Sequence, residues 1–223
     1  MAKRYPQAIM VSCETPWDDN EEFLEDVFRR QVRAMLGKGF NHIYIFGTAG
    51  EGYAVTLAQY RKVVGVFREE IDKEGAYANV CVIAMSTAQV VERVGIAYDM
   101  GFRIFQLTLP SWGALTDEEY MTFFRDVCSN FPDAKFIHYN LPYAKRILLG
   151  RDYRRLEEAV PNLVGTKNTR SDINDIHSIV NQPSELQHFW GEQAFPIACM
   201  YGEASLLSTW GGLFTSKTKE FFH

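Results

Sequence analysis

Two reactive side chains stand at the ends of two short apolar runs, Tyr139 in Phe136-Ile-His-Tyr-Asn-Leu-Pro142 and Lys167 in Leu163-Val-Gly-Thr-Lys-Asn-Thr169. Both runs have strand length and are rich in β-branched or aromatic residues. A lysine that closes a buried strand either snorkels to water or gives up its proton readily, because burial disfavours the ammonium form. A neutral lysine is a nucleophile toward carbonyl carbon and forms a Schiff base with it. The plain alternative is a lysine stem lying over the strand end with its ammonium in water. For Tyr139 it is an aromatic packed at a strand end with its hydroxyl satisfied.

The rest of the chain decides whether the two groups meet. The run Ala8 to Cys13 reads as a strand, and Phe23, Val27, Val32 and Leu36 lie near helical spacing in a segment from Glu21 to Lys38. The same unit then recurs. The strand-like His42–Phe46 leads through Gly47-Thr-Ala-Gly-Glu-Gly52 to a capping box at Thr56-Leu-Ala-Gln59, whose helix runs to about Lys73. Val80–Ala84 precedes a second box at Ser86-Thr-Ala-Gln89, with a helix ending near Gly101. Arg103–Leu109 precedes a third at Thr116-Asp-Glu-Glu119, with a helix to about Asn130.

Lys135–Tyr139 and Leu163–Lys167 are then the fifth and sixth strands, followed by helices near 151–159 and 171–180. Leu186–Trp190, a short helix near 194–201 and Ala204–Ser208 complete the pattern. Short apolar strands alternating with helices require a parallel sheet covered by helices. Eight such units fit a (β/α)8 TIM barrel, in which chemistry sits at the C-terminal strand ends, where Tyr139 and Lys167 both fall. The doubly wound alternative is disfavoured because Gly47-Thr-Ala-Gly-Glu-Gly52 spaces its glycines as GxxGxG and lacks the Lys-Ser/Thr of a phosphate loop. Residues 1–223 therefore read as a single barrel domain. The stretch after Ser208 is too short for a full eighth helix and a C-terminal helical extension, so a truncated C-terminus is expected.

Composition narrows the function classes. The chain has 223 residues, 47% of them hydrophobic and 23% charged, enough for one sizeable core. The net charge of −5 is made of interleaved signs, which argues against nucleic acid as a partner. The apolar stretch behind Met1-Ala-Lys-Arg-Tyr-Pro6 is too short for a signal segment, and no run has membrane-spanning length, so a cytoplasmic protein with no membrane partner is expected. The scattered Cys13, Cys81, Cys128 and Cys199 read as reduced, buried small hydrophobes. The five histidines form no ligand cluster, so no metal is expected. His138, next to Tyr139, points to the opposite face of its strand and reads as packing. Phe46, Phe105 and Phe136 read as barrel core, and Glu51 as a brace for its loop.

As a set, Gly47-Thr-Ala-Gly-Glu51, Tyr139-Asn-Leu-Pro142, Gly165-Thr-Lys-Asn-Thr169 with Asp172, and Gly191 with Ser205-Leu-Leu-Ser208 resemble the dihydrodipicolinate synthase and N-acetylneuraminate lyase family of Schiff-base aldolases, over about residues 8–208. The resemblance implies that Lys167 forms an imine with pyruvate or a related 2-oxo acid, and that Tyr139 is the general acid and base. It implies that Gly47, Thr48 and Ala49 hold the substrate carboxylate, that Thr48 bonds Tyr139, and that no cofactor is needed. A homo-oligomer, dimer or tetramer, is the family habit.

Four positions depart from the family pattern. Ala49 stands where a second hydroxyl is common, which removes a donor worth roughly 1.5–3 kcal/mol to a charged ligand. Trp112 stands where synthases take a Tyr from a neighbouring subunit, and indole does not exchange a proton near neutral pH. Ala144 stands where synthases place an Arg, with Lys145 and Arg146 following. Thr169 matches sialic acid lyases, whereas Glu192-Gln-Ala194 lacks their acidic pair, leaving Glu192 or Gln193 for hydroxyls. Gly191 and Ser208, at the ends of the last two strands, are further candidates for substrate contact. The expected activity is a lyase on a sugar acid or related hydroxy-oxo acid. Two alternatives use the same barrel: dehydration or hydration of a 3-deoxy-2-oxo sugar acid through the same imine, and a barrel that binds a 2-oxo acid without turnover.

Overall fold

Eight parallel strands close on themselves in chain order, with β1 paired to β8, in a computed structural model that describes residues 2–71 and 76–223. The strands are β1 Ile9–Ser12, β2 His42–Ile45, β3 Asn79–Val82, β4 Ile104–Leu107, β5 Lys135–Asn140, β6 Leu163–Asn168, β7 Gln187–Gly191 and β8 Ser205–Ser208. The helices between and after them are α1 Glu25–Gly37, α2 Leu57–Ile71, α3 Thr87–Asp99, α4 Asp117–Ser129, α5 Gly150–Ala159, α6 Ile173–Val180, α7 Phe195–Tyr201 and α8 Thr215–Phe222. This is a (β/α)8 barrel, as the alternation of runs predicts.

Strands buried on both faces explain why the runs read as almost uninterrupted apolar sequence. Met10, Tyr44, Ile137, Val164, Phe189 and Leu207 fill the lumen, with Tyr5 and Ala8 beside them. The alternate residues pack outward against the helices. Phe46, Phe105 and Phe136 belong to that outer layer rather than to the lumen. Phe46 stacks on Tyr60 of α2 and Phe105 on Phe136, because alternation turns Gln106 and Ile137 inward instead. His138 likewise faces the helices, with its Nδ1 2.8 Å from the Tyr153 hydroxyl of α5 and its ring edge-on to Phe124 of α4.

The predicted caps form. Thr56 and Gln59 exchange both bonds, as do Thr116 and Glu119. Ser86 caps Gln89, but the Gln89 side chain turns back to the Met85 N–H. Helix α1 starts at Glu25 rather than Glu21. Residues 17–23 instead form a turn closed by a Trp17–Phe23 bridge, with Asp18 accepting from the N–H groups of Asn20 and Glu22. The predicted end of α2 near Lys73 lies outside the described residues. The tail after Ser208 does form a helix, the eight-residue α8, shorter than the 13 residues of α1. Cys13, Cys81 and Cys128 are buried; Cys199, on α7, is exposed, contrary to the sequence reading.

One glycine of β6 fixes the position of Lys167. A Cβ on Gly165 would lie 2.6 Å from the carbonyl oxygen of Gln187 in β7, so any side chain must push the two strands apart. Gly165→Ala is expected to destabilise the barrel by about 1–3 kcal/mol, read as a lower midpoint in denaturant melts. An unchanged midpoint would show that β6 tolerates the displacement.

Candidate active site

Strand register does the first part of the work. Tyr139 of β5 pairs directly with Lys167 of β6, so both side chains leave the sheet on its inner face, near the C-terminal ends. The Lys167 amine sits 3.6 Å from the centroid of the Tyr139 ring and 3.9 Å from that of Tyr44 in β2. Lys167 is only 1% exposed, and its Nζ has no hydrogen-bond partner among the described residues.

This geometry shifts the amine's proton equilibrium. Burial lowers the Lys167 pKa to about 8, while the neighbouring Cys81 and Glu14 act in the opposite sense. The two ring faces also favour the ammonium form, so burial is the term that makes the amine nucleophilic. With a pKa of about 8 instead of 10.5, the neutral fraction at pH 7 rises roughly 300-fold, to about a tenth.

Thr48 orients the second group. Its Oγ1 lies 3.0 Å from the Tyr139 hydroxyl, and its backbone N–H also serves that oxygen. Burial nevertheless pushes the Tyr139 phenol up to about 12, against the Thr48 hydrogen bonds, so at neutral pH it is a proton donor. The loop that carries Thr48 is bent sharply. Phe46 and Glu51 both take left-handed φ, 62° and 53°, a conformation that costs a non-glycine residue of order 1–3 kcal/mol and that concentrates at functional sites. A Cβ on Gly47 would lie 2.8 Å from the Tyr44 ring and 3.5 Å from the Lys167 amine, so glycine here leaves room for both. Ala49 is exposed.

The structure brings together Lys167, Tyr139, Thr48 and Gly47, and adds Tyr44, Ser12 and Glu14, which sequence reasoning passes over. The Tyr44 phenol is bonded by the Ser12 side chain. Alternation along β1 and β2 leaves open which face Ser12 and Tyr44 take; the closed sheet pairs the two, with Tyr44 in the inner cluster. The Glu14 carboxylate carries a buried Oε2 with no partner among the described residues, 3.4 Å from a Cβ built on Gly50. Because Glu14 raises the Lys167 pKa, Glu14→Gln is expected to move the pH limb of imine formation downward. A limb that stays put or moves upward would remove Glu14 from the field at the amine.

Other predicted contacts lie elsewhere. The Glu192 carboxylate accepts from the Ser208 hydroxyl at 3.1 Å and from the N–H groups of Thr209 and Trp210 at 2.5 and 3.1 Å. Glu192 and Ser208 therefore brace the β8–α8 loop rather than facing the amine. Gly191 borders open space, with nothing within 4 Å of a built Cβ. Thr169 is exposed just past the end of β6. Trp112 is 82% exposed and its carbonyl accepts from Lys145. Arg146 binds the Leu115 carbonyl and the Asp117 carboxylate. Neither cation that follows Ala144 turns toward Lys167.

Among the described residues there is no group of three or more His, Cys, Asp or Glu placed to hold a metal ion, and no helix long and apolar enough to cross a membrane.

The chain is similar to known proteins in sequence and in fold. The pattern of the dihydrodipicolinate synthetase family matches residues 5–221. N-acetylneuraminate lyases of Salmonella paratyphi B and Salmonella typhimurium are 24% identical over 177 residues, 78% of this chain. The chain spans 58% of the length of those curated relatives. Among solved structures, a dihydrodipicolinate synthase from Thermotoga maritima superposes with a TM-score of 0.85 at 22% identity, over 97% of this chain and 73% of that one. A prophage protein of the dihydrodipicolinic acid synthase family from E. coli K12, solved in complex with pyruvate, gives 0.86 at 13% identity, covering 94% and 72%. At such identities the structural likeness concerns the fold.

Proposed function

We propose, from the premise that this chain belongs to the dihydrodipicolinate synthetase family, that it is a Schiff-base lyase that breaks or forms a carbon–carbon bond next to a pyruvate-type 2-oxo acid. The observation that carries the reading is the buried, unpartnered amine of Lys167 beside the ring of Tyr139, whose hydroxyl is held by Thr48. The coarse reaction class, an aldolase-type lyase, agrees with the named activities of the similar proteins, N-acetylneuraminate lyase and the sialic acid aldolase of Ruminococcus gnavus.

The chemistry follows from the two groups. The neutral Lys167 amine adds to the keto carbon of a 4-hydroxy-2-oxo acid, and Tyr139 gives its proton to the departing hydroxyl, which leaves as water. A cationic imine and a phenolate remain. The C3–C4 bond then breaks with its electron pair flowing into the imine, while the phenolate takes the C4 hydroxyl proton. An aldehyde leaves, and Tyr139 reprotonates C3 of the enamine. Hydrolysis frees pyruvate and the amine. The Thr48 loop is the candidate seat for the carboxylate that aims the scissile bond. Dehydration of a 3-deoxy-2-oxo acid through the same imine is the second reading, and it differs in releasing no pyruvate.

The test is chemical trapping. Incubation with pyruvate and borohydride is expected to leave a reduced adduct on the peptide containing Lys167, located by mass spectrometry. An unmodified Lys167 at saturating pyruvate would overturn the proposal.

A further inference from the structure

Beside the Thr48–Tyr139 pair a cavity of about 520 Å³ opens at the rim formed by the C-terminal ends of β2 to β5. Its wall is made of Ile83, Met85, Leu109, Leu141 and Ala144, with Tyr53 and Tyr143 at the exposed mouth. A fragment that leaves from C4 must depart on the side of the proton-transfer group, and this cavity is the space on that side.

Apart from the phenol hydroxyls of Tyr53 and Tyr143 at the exposed mouth, the polar inventory of the wall is short. The Thr48 hydroxyl is engaged with Tyr139, and the Ser111 hydroxyl lies 3.3 Å from the Met85 sulfur. The Thr108 side chain is different: it is 2% exposed, and its Oγ1 has no partner among the described residues. No charged side chain lines the cavity among the described residues. Lys145 and Arg146 are tied to Trp112, Leu115 and Asp117 on the outer loop. Glu192, the acidic group closest in sequence to a polyol-binding role, is bonded to the β8–α8 loop.

We infer that this cavity takes the aldehyde half of the substrate, and that the half it selects is an aromatic or branched aliphatic aldehyde able to offer one polar atom to Thr108, rather than a polyol or a carboxylate-bearing chain. This inference rests on the imine reading above and adds the substrate class to it. Against the apolar inner wall a polyol finds only Thr108 free, with the Tyr53 and Tyr143 hydroxyls confined to the mouth, and buried polar groups without partners discriminate strongly. A carboxylate finds no cation. An apolar ring of drug-fragment size fits a wall of this composition and volume.

The experiment compares two 4-hydroxy-2-oxo acids, 4-hydroxy-2-oxo-4-phenylbutanoate and 2-oxo-3-deoxygluconate. Pyruvate release is followed with lactate dehydrogenase and total substrate loss by chromatography, so that dehydration also registers. The expected result is a kcat/KM for the phenyl compound at least ~100-fold above that for the sugar acid. Met85→Gln, at an exposed position, is expected to lower the phenyl value by about 5- to 10-fold with an unchanged far-UV circular dichroism spectrum. Equal or reversed preference in the wild type, consumption of neither compound, or a Met85→Gln protein that keeps the full phenyl rate overturns the cavity assignment. Those outcomes differ from failure of the imine reading, in which pyruvate and borohydride leave Lys167 unmodified.

Discussion

Lys167→Met is expected to lose turnover by at least ~10⁴-fold and, at the same time, to melt at a higher temperature than the parent. The first effect follows because, among the described residues, Lys167 is the lysine set over the Tyr139 ring, while Lys145 is tied to the Trp112 carbonyl on the outer loop. The second follows from the cost of keeping a lysine where this one is. Its pKa of about 8 in the folded chain, against 10.5 unfolded, means that the native state holds the proton more weakly. Unfolding therefore takes up protons between pH 8 and 10.5, and stability rises with pH across that window. Below pH 8 the penalty is fully present, on the order of 3 kcal/mol from a shift of this size. A methionine of similar length and no charge removes it and fills the same space between the Tyr44 and Tyr139 rings. The Tm at pH 7 should rise by roughly 5–10 °C in a chain of this size. The gap between the two proteins should close as the pH approaches 10.5. A variant less stable than its parent at pH 7, or one that still yields a borohydride adduct, would sink this account.

The parts of this site that were legible in sequence are those carried by strand ends. Lys167 and Tyr139 stand out because a strand buried on both faces tolerates few reactive groups, and register alone then brings them side by side. Tyr44 was not legible. It sits among His42, Ile43 and Ile45, where an aromatic is ordinary strand material, and only the closed sheet places its ring 3.9 Å from an amine over a hundred residues away. Glu14 escaped notice because it follows β1 in what reads as a loop, and its buried oxygen is a fact of how the β2 loop folds over it. Ser208 reads as a candidate contact from its place at a strand end, and Glu192 as a residue left to bond hydroxyls where the acidic pair is missing; in the structure the two side chains bond to each other and to nearby backbone. Spacing does not reveal which way a side chain at a strand's last residue turns. Phe105 and Phe136 are core, as the sequence reads, but which layer of the core they fill was not legible for a related reason. An uninterrupted apolar run has no period, so it does not say which alternate residues face inward.

Tyr139→Phe should separate binding of the carbonyl from its breakdown. The phenol stands at about 12, raised by burial, and its oxygen shares a hydrogen bond with the Thr48 hydroxyl. A group with that pKa is a poor base at neutral pH, yet the cleavage step needs one. The two requirements are reconciled by charge. When Lys167 becomes a cationic imine next to the ring, a positive charge appears in a dry site, and the phenolate form is favoured at the moment it is needed. Removing the hydroxyl leaves Lys167 buried and nucleophilic, so borohydride still fixes pyruvate on the variant, but more slowly, because the departing hydroxyl must then take its proton from water. Turnover should fall by about 10²–10⁴-fold, the usual range for loss of a placed acid–base group. Thr48→Val, which removes a hydrogen bond to the same oxygen and leaves the phenol in place, should fall between the two, about 10-fold below wild type. The ordering, with adduct formation retained throughout, is the diagnostic result. A Tyr139→Phe protein that turns over within about twofold of wild type would mean that the proton moves through some other group, with Glu14, which acts electrostatically on both Lys167 and Tyr139, as the candidate.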